Sequence, residues 1–326
     1  MQATCQRGYE LFWFIMIRDD YDSLVESIFR RFPSVQTSTF GDAYKPGLEH
    51  IEAFCALLGE PQKSFRTIHV AGTNGKGSVA NMLASVLSAS GFKTGLYTSP
   101  HILDFRERMR MAGPDSAASL IPEEYVYDFL TKWSDTFDRL ELSFFEITTG
   151  LAFKWFADQK VDFAVIEVGL GGRLDSTNVI TPELSIVTSI GLDHCDLLGD
   201  TLEKIAFEKA GIFKRGVPVV IGETLLETEP VFRSHFAEVN GEDSPELVFA
   251  DKAVPSMWYM KDEILKSMDL RGEYQEKNLR TVLAAVDVLR NVVSSASLKD
   301  NSLVAKAIAD TARRMDFHGR WERLFT

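Results

Sequence analysis

An α/β architecture, a doubly wound and mostly parallel sheet with helices on both faces, is the fold class this sequence predicts. Short β-branched runs alternate with helical patterns through the middle of the chain, the order of strand–helix–strand units. The runs are continuously apolar rather than alternating, as strands covered on both faces must be. A glycine-rich turn, in the manner of a P-loop, joins the first run to the helix after it.

Thr67-Ile68-His69-Val70 is the first strand, and a helix from about Ser78 to Ser88 follows the turn. Thr94 to Thr98 reads as the next strand. A helical pattern from Ser143 to Asp158 precedes three further apolar runs: Asp162 to Val168, Leu184 to Ile190 and Val217 to Ile221. Asp200 and Glu203 have the spacing of a capping box, opening a helix that Gly211 closes. Glu273 to Arg290 and Asn301 to Arg314 read as amphipathic helices. Residues 16–300 are therefore expected as one large domain and 301–326 as a linker opening something new. Residues 1–15 are expected as an extension. The apolar run Leu11 to Ile17 is too short to span a membrane, and Arg18-Asp19-Asp20 follows it where a signal peptide would carry small residues.

Composition narrows the partners. Of 326 residues, 45% are hydrophobic and 25% charged, ordinary for a soluble domain. A net charge of −12 argues against nucleic acid, which demands a dense basic face. It leaves room for an anion at a helix N-terminus. The three cysteines, Cys5, Cys55 and Cys195, are too few and scattered for a disulfide framework or a zinc site, and read as reduced thiols of the cytoplasm.

Gly72-Thr73-Asn74-Gly75-Lys76-Gly77-Ser78 carries the clearest chemistry. Glycines let backbone N–H groups approach phosphate oxygens, the helix N-terminus adds positive potential, and Lys76 reaches outer phosphates. Ser78 is placed to offer a hydroxyl to Mg²⁺, although Gly77 stands where the hydroxyl residue usually follows the lysine. Glu167 ends a strand where open α/β sheets bind ligands, and a carboxylate suits a hard cation. Arg173 and Asp175, in the turn after it, either meet a substrate or satisfy one another. His194 also follows a strand, though imidazole is not a preferred Mg²⁺ ligand. Of the other histidines, His69 reads as core, and His50 and His235 as surface. Lys209 falls in a last helical turn, where the helix dipole alone accounts for a cation. Ser99-Pro100-His101 ends the second strand, with Arg106 and Arg108 after it as either an anion site or solvated charges. Phe144, Phe145 and Glu146 open a helix that reads mainly as core.

Together GTNGKGS, TSPH, IEVGLGGRLDSTN, GLDH, LGDT, EKAGI, QEKN and GRWE resemble the bifunctional dihydrofolate synthase/folylpolyglutamate synthase family of Mur-type ligases, from about Met16 to the end of the chain. The resemblance implies an ATP-binding central domain and ligation of L-glutamate to dihydropteroate or a reduced folate through an acyl phosphate. It implies that Lys76 and Ser78 serve the ATP phosphates and metal, and that Ser99, Glu167 and His194 hold Mg²⁺. Lys209 matches a lysine carbamylated in the family. Gln275 and Asn278 match nucleotide contacts, Arg320 a phosphate contact, and Phe145 and Glu146 the folate neighbourhood. His318 replaces an expected proline. The family places a second α/β domain after this segment, so the chain is expected to bind ATP with little or no turnover. Small-molecule partners only are implied, without nucleic acid or membrane, and a monomer is expected. A nucleotide-binding module without turnover and a cell-wall Mur ligase are the competing readings.

Overall fold

The computed structural model describes residues 20–32, 47–241 and 245–317. Helix α1 spans 20–31 and α2 Glu49–Leu57; β1 (Arg66–Ala71) leads through the glycine-rich turn into α3 (Lys76–Ala89) and β2 (Thr94–Tyr97). A hairpin, β3 (Met109–Ala112) and β4 (Ser119–Leu120), precedes α4 (Glu123–Arg139), α5 (Phe144–Asp158) and β5 (Phe163–Glu167). Then come β6 (Leu184–Val187), α6 (Cys195–Leu198), α7 (Leu202–Ala210), β7 (Val219–Ile221), α8 (Glu229–Asn240) and β8 (Leu247–Phe249). Helices α9 (Lys261–Ser267), α10 (Gln275–Val292), α11 (Asn301–Ala309) and α12 (Thr311–Met315) complete the described chain.

The eight strands form one sheet in the order β4-β3-β2-β5-β1-β6-β7-β8. Pairs from β2 through β8 are parallel, and only the β2–β3–β4 edge is antiparallel. Both faces are covered, which explains the continuous apolar runs. Ile68, Val70, Val165 and Ile186 face a core built with α3, α10 and α11. Ala164 and Ile166 face the opposite core, with α2, α4 and α5. Val187, Val219 and Ile221 meet α7 and α8 in a third cluster. From β1 the chain crosses past β5 to β2, while β6 through β8 build the other way. That reversal opens a crevice at the carboxyl ends of β5, β1 and β6.

Three expectations are corrected. Thr201, not Asp200, caps α7: its side chain accepts the Lys204 N–H, while Asp200 pairs with the Lys204 ammonium. The single helix expected over Asn301 to Arg314 is two, because the Asp269 carboxylate accepts the N–H groups of Ala312 and Arg313 and starts a new helix there. Both pieces pack into the α3 core through Val304, Ile308 and Met315. His235 is half-buried against Phe207 and Phe213 rather than on the surface. The extension expected at 1–15 lies outside the described residues. Among the described residues no helix is long and apolar enough to cross a membrane.

His69 is fully buried on β1, with Nε2 2.8 Å from Thr177 Oγ1. Burial, aided by the nearby Lys214 charge, pushes its pKa down to about 3. A base depressed in the folded state contributes stability above its unfolded pKa of about 6.5. That stability is lost as pH falls from there through about 3. We predict that wild type loses roughly 2–3 kcal/mol more than His69→Gln between about pH 7 and pH 4.5, measured by urea denaturation. Equal losses would show that His69 carries no such linkage.

Candidate functional site

Everything at the crevice hangs on the turn after β1. Gly72 has φ +143° and a Cβ there would stand 1.9 Å from Thr188 Oγ1; Gly75 has φ +85° and a Cβ would stand 2.3 Å from Asn278 Oδ1. Both positions are therefore closed to other residues by conformation and by space. The turn is fastened to the loop after β6. Thr73 N–H donates to Ser189 O (2.7 Å), Thr188 Oγ1 donates to Asn74 O (2.6 Å), and Asn74 N–H donates to Ser189 Oγ (3.2 Å). Lys76 folds back, its ammonium donating to Gly72 O at 2.9 Å and Thr73 O at 3.2 Å. Val79 N–H is held by Gly75 O, and the N–H groups ahead of it have no carbonyl in their own helix, the arrangement that suits a phosphate.

Helix α10 brings two residues from nearly 200 positions away onto this turn. Gln275 Nε2 lies 3.5 Å from Ser78 Oγ and Asn278 Nδ2 donates to Gln275 Oε1 at 2.9 Å, with Asn278 Oδ1 over Gly75. Glu167 ends β5 on the other side. It is 4% exposed, accepts the Ser99 N–H at 3.2 Å, and would stand 3.8 Å from a Cβ on Gly77. Burial pushes its pKa up to about 7, against the pull of Lys76, the Ser99 N–H, Arg110 and Arg108. A buried carboxylate short of donors beside a hydroxyl-bearing helix start fits a hard cation. Among the described residues no three His, Cys, Asp or Glu side chains cluster closely enough to hold a metal alone. A cation here would take phosphate and water oxygens, as Mg²⁺ does.

Beside the turn lies a cavity of about 30 Å³, lined by Gly72, Lys76, Gly169, Asp193, His194 and Lys209 among others. His194 sits in left-handed backbone at φ +50°, with Nε2 3.8 Å from Asp193 Oδ2. Lys209 is buried at 5% exposure, and its ammonium donates to Gly72 O at 3.0 Å, the carbonyl Lys76 also uses. Burial, with Lys76 beside it, pulls the Lys209 pKa down to about 7. Helix-end electrostatics, sufficient in the sequence, does not account for an ammonium buried against a second cation.

The four expected substrate residues each have partners within the chain. Asp175 is buried and spends its carboxylate on the N–H groups of Gly169, Leu170 and Thr177 and on the Thr177 hydroxyl, so it holds the turn together. Arg173 pairs with Glu208 at 2.9 Å rather than with Asp175. Glu146 accepts the Ser143 N–H at 2.7 Å in a capping box that opens α5. Phe145 lies on Gly169, with its ring 5.9 Å from Tyr97. Arg320 and His318 lie outside the described residues. Sequence reasoning passed over Thr188 and Ser189, whose only signal is hydroxyls directly after a strand. It also passed over Arg110, buried between Thr98 Oγ1 and the carbonyls of Met315 and Asp316. Arg106, left open as an anion site, is held by Asp104 and Glu123, and Arg108 is buried with Nε on His101 Nδ1 at 2.8 Å.

Residues 124–286 match the Mur ligase middle domain. Over 275 residues the chain is 38% identical to the dihydrofolate synthase/folylpolyglutamate synthase of Bacillus subtilis, covering 79% of this chain and 63% of that protein. It is 41% identical over 247 residues to the folylpolyglutamate synthase of Lacticaseibacillus casei, covering 71% and 57%. A solved folylpolyglutamate synthase complex with AMPPCP and folate superposes with a TM-score of 0.73 at 32% identity, covering 94% of this chain and 74% of that one. The chain belongs to the folylpolyglutamate synthases of the Mur ligase family. It spans about 60% of the length of the curated relatives it matches.

In this family member the cleft also depends on close backbone packing. A Cβ on Gly172 would stand 2.7 Å from Glu208 O and 3.0 Å from Lys209 Cα, backbone atoms that cannot swing aside. Gly172→Ala must therefore shift α7 or the turn. We predict a loss of about 1–3 kcal/mol, read as a lower thermal midpoint; an unchanged midpoint would show that the turn and α7 adjust freely.

Proposed function

We propose that this chain binds ATP at the β1–β5–β6 rim, within the unit expected at residues 16–300. The protein it belongs to would join L-glutamate to dihydropteroate, to the γ-carboxylate of a reduced folate, or to both. The observation that carries this reading is the pairing of Lys76 and a buried Lys209 on one carbonyl of a phosphate-binding turn. A phosphate site alone needs only the first of these. The AMPPCP–folate complex already described, and a solved E. coli relative in complex with DHPP and ADP, support ATP and a pteroate-type acid as the substrate classes.

In this mechanism the acid's carboxylate attacks the γ-phosphate of ATP, forming an acyl phosphate and releasing ADP. The glutamate amine then adds to the acyl carbon and phosphate leaves. The chain's residues position the anions and offset their charge. Gly72 to Ser78 present N–H groups to the phosphates, and Lys76 leaves its carbonyl partners to follow the charge moving with the transferred group. Gln275 and Asn278 hold the nucleotide side of the turn, with Arg320 as a further phosphate contact. Ser78, Ser99, Glu167 and His194 are the residues that would hold Mg²⁺, which when bound supplies charge neutralisation at the phosphates. Phe145 and Arg173 border the acid's approach. The cysteine usage fits a cytoplasmic protein.

Lys209 acts as an anion in this reading. A pKa near 7 keeps much of the amine neutral at cellular pH, and the neutral amine is the form that adds to CO₂. Its nitrogen bonds to the carbon, one proton leaves, and a carbamate faces Lys76. We predict that ¹³C-bicarbonate gives a carbamate NMR signal that grows as pH rises through about 7. The signal should disappear in Lys209→Arg, and its persistence there would refute the assignment. Lys76→Ala should weaken ATP binding by roughly tenfold or more, the loss of a charge-assisted contact, by calorimetry. Unchanged affinity would remove the turn from the site.

A further inference from the structure

Three buried side chains form one hydrogen-bonded chain that ends on the cleft. His69 Nε2 lies 2.8 Å from Thr177 Oγ1, and the Thr177 hydroxyl donates to Asp175 Oδ1 at 2.5 Å. Asp175 Oδ2 accepts the N–H groups of Gly169 at 3.1 Å and Leu170 at 2.8 Å. Gly169, Leu170 and Gly171 line the cleft with Lys76 and Lys209.

The protons along this chain can be counted. A carboxylate only accepts, so the Thr177 hydroxyl proton points to Asp175 and Oγ1 offers the ring lone pairs alone. Nε2 must then carry the imidazole proton, and Nδ1 is a bare acceptor. That Nδ1 is buried without a hydrogen-bond partner. An unpaired buried acceptor costs stability that leucine at the same strand position would not. Stability given up in the middle of a central strand, for a proton directed at the cleft wall, marks a device for shape.

We infer that His69, protonated at Nε2, is a positioning residue that holds the Gly169–Gly171 turn against Lys76 and Lys209 through Thr177 and Asp175. Its kinetic consequence rests on the ligase reading. The phosphate-binding turn hangs separately on Thr188 and Ser189, so loosening the relay slows turnover and spares ATP binding.

The test is residue-resolved amide exchange with imidazole ¹⁵N NMR on wild type, His69→Leu, His69→Gln and Thr177→Val, beside thermal midpoints. The wild-type ring should stay protonated at Nε2 alone between about pH 5 and 8. His69→Leu and Thr177→Val should speed exchange at Gly169 and Leu170 about fivefold, the equivalent of one hydrogen bond. The midpoint of His69→Leu should hold or rise, and His69→Gln, whose amide donor replaces Nε2–H, should exchange as wild type. In glutamate-dependent phosphate release by the whole protein this chain belongs to, His69→Leu should lower kcat with KM for ATP unchanged. A ring protonated at Nδ1, unaltered exchange at Gly169 and Leu170, or a fallen midpoint with faster exchange everywhere would overturn the relay. If the whole protein this chain belongs to releases no phosphate, that counts against the ligase reading instead, and exchange still judges the relay.

Discussion

The parallel pairing of β1 between β5 and β6 is the constraint from which the rest follows. Val70 sits opposite both Glu167 and Ile186, so the three strands end at one level. The chain leaves them toward opposite edges of the sheet, and a crevice forms whether or not a ligand is present. Residues at 72–78, 99, 167 and 188–194 meet because of that register. A slip of one residue on β5 would turn Glu167 into the opposite face.

The crevice concentrates charge where water is scarce. Lys209, Glu167, Arg108 and Arg110 are each at most 5% exposed, and burial opposes the charged form of all four. Such groups add little to folding and are costly to leave unpaired. Their stabilising partners are incomplete within the chain: Lys209 and Lys76 share one carbonyl, and Glu167 leans on a single backbone N–H together with distant cations. An anionic nucleotide with its counter-ion would complete these pairings. The arrangement reads as a site preorganised for a ligand, with part of its electrostatics left to that ligand.

Much of this was legible in the sequence for a physical reason. Strands covered on both faces must be continuously apolar, so β1, β2, β5, β6 and β7 stood out within three residues of their bounds. Gly72 and Gly75 stood out because only glycine tolerates those angles and that space. The β3–β4 hairpin and β8, at the two edges of the sheet, did not stand out. The split at Asp310 depends on Asp269, 43 positions before Ala312, and no local pattern encodes such a cap. The same distance hid the burial of Lys209, which looked like an ordinary helix-end cation. Glu146 and Asp175 accept backbone N–H groups, a duty that looks the same in sequence as that of a carboxylate awaiting a substrate.

The convergence itself can be observed by titrating the isotopically labelled chain with magnesium and a non-hydrolysable ATP analogue and following backbone amide shifts. The account predicts saturable changes at Gly72 to Ser78, at Ser99 and Glu167, around His194, and at Gln275 to Asn278 together, with one dissociation constant. Changes confined to a single one of these segments, or centred on another face of the sheet, would contradict it.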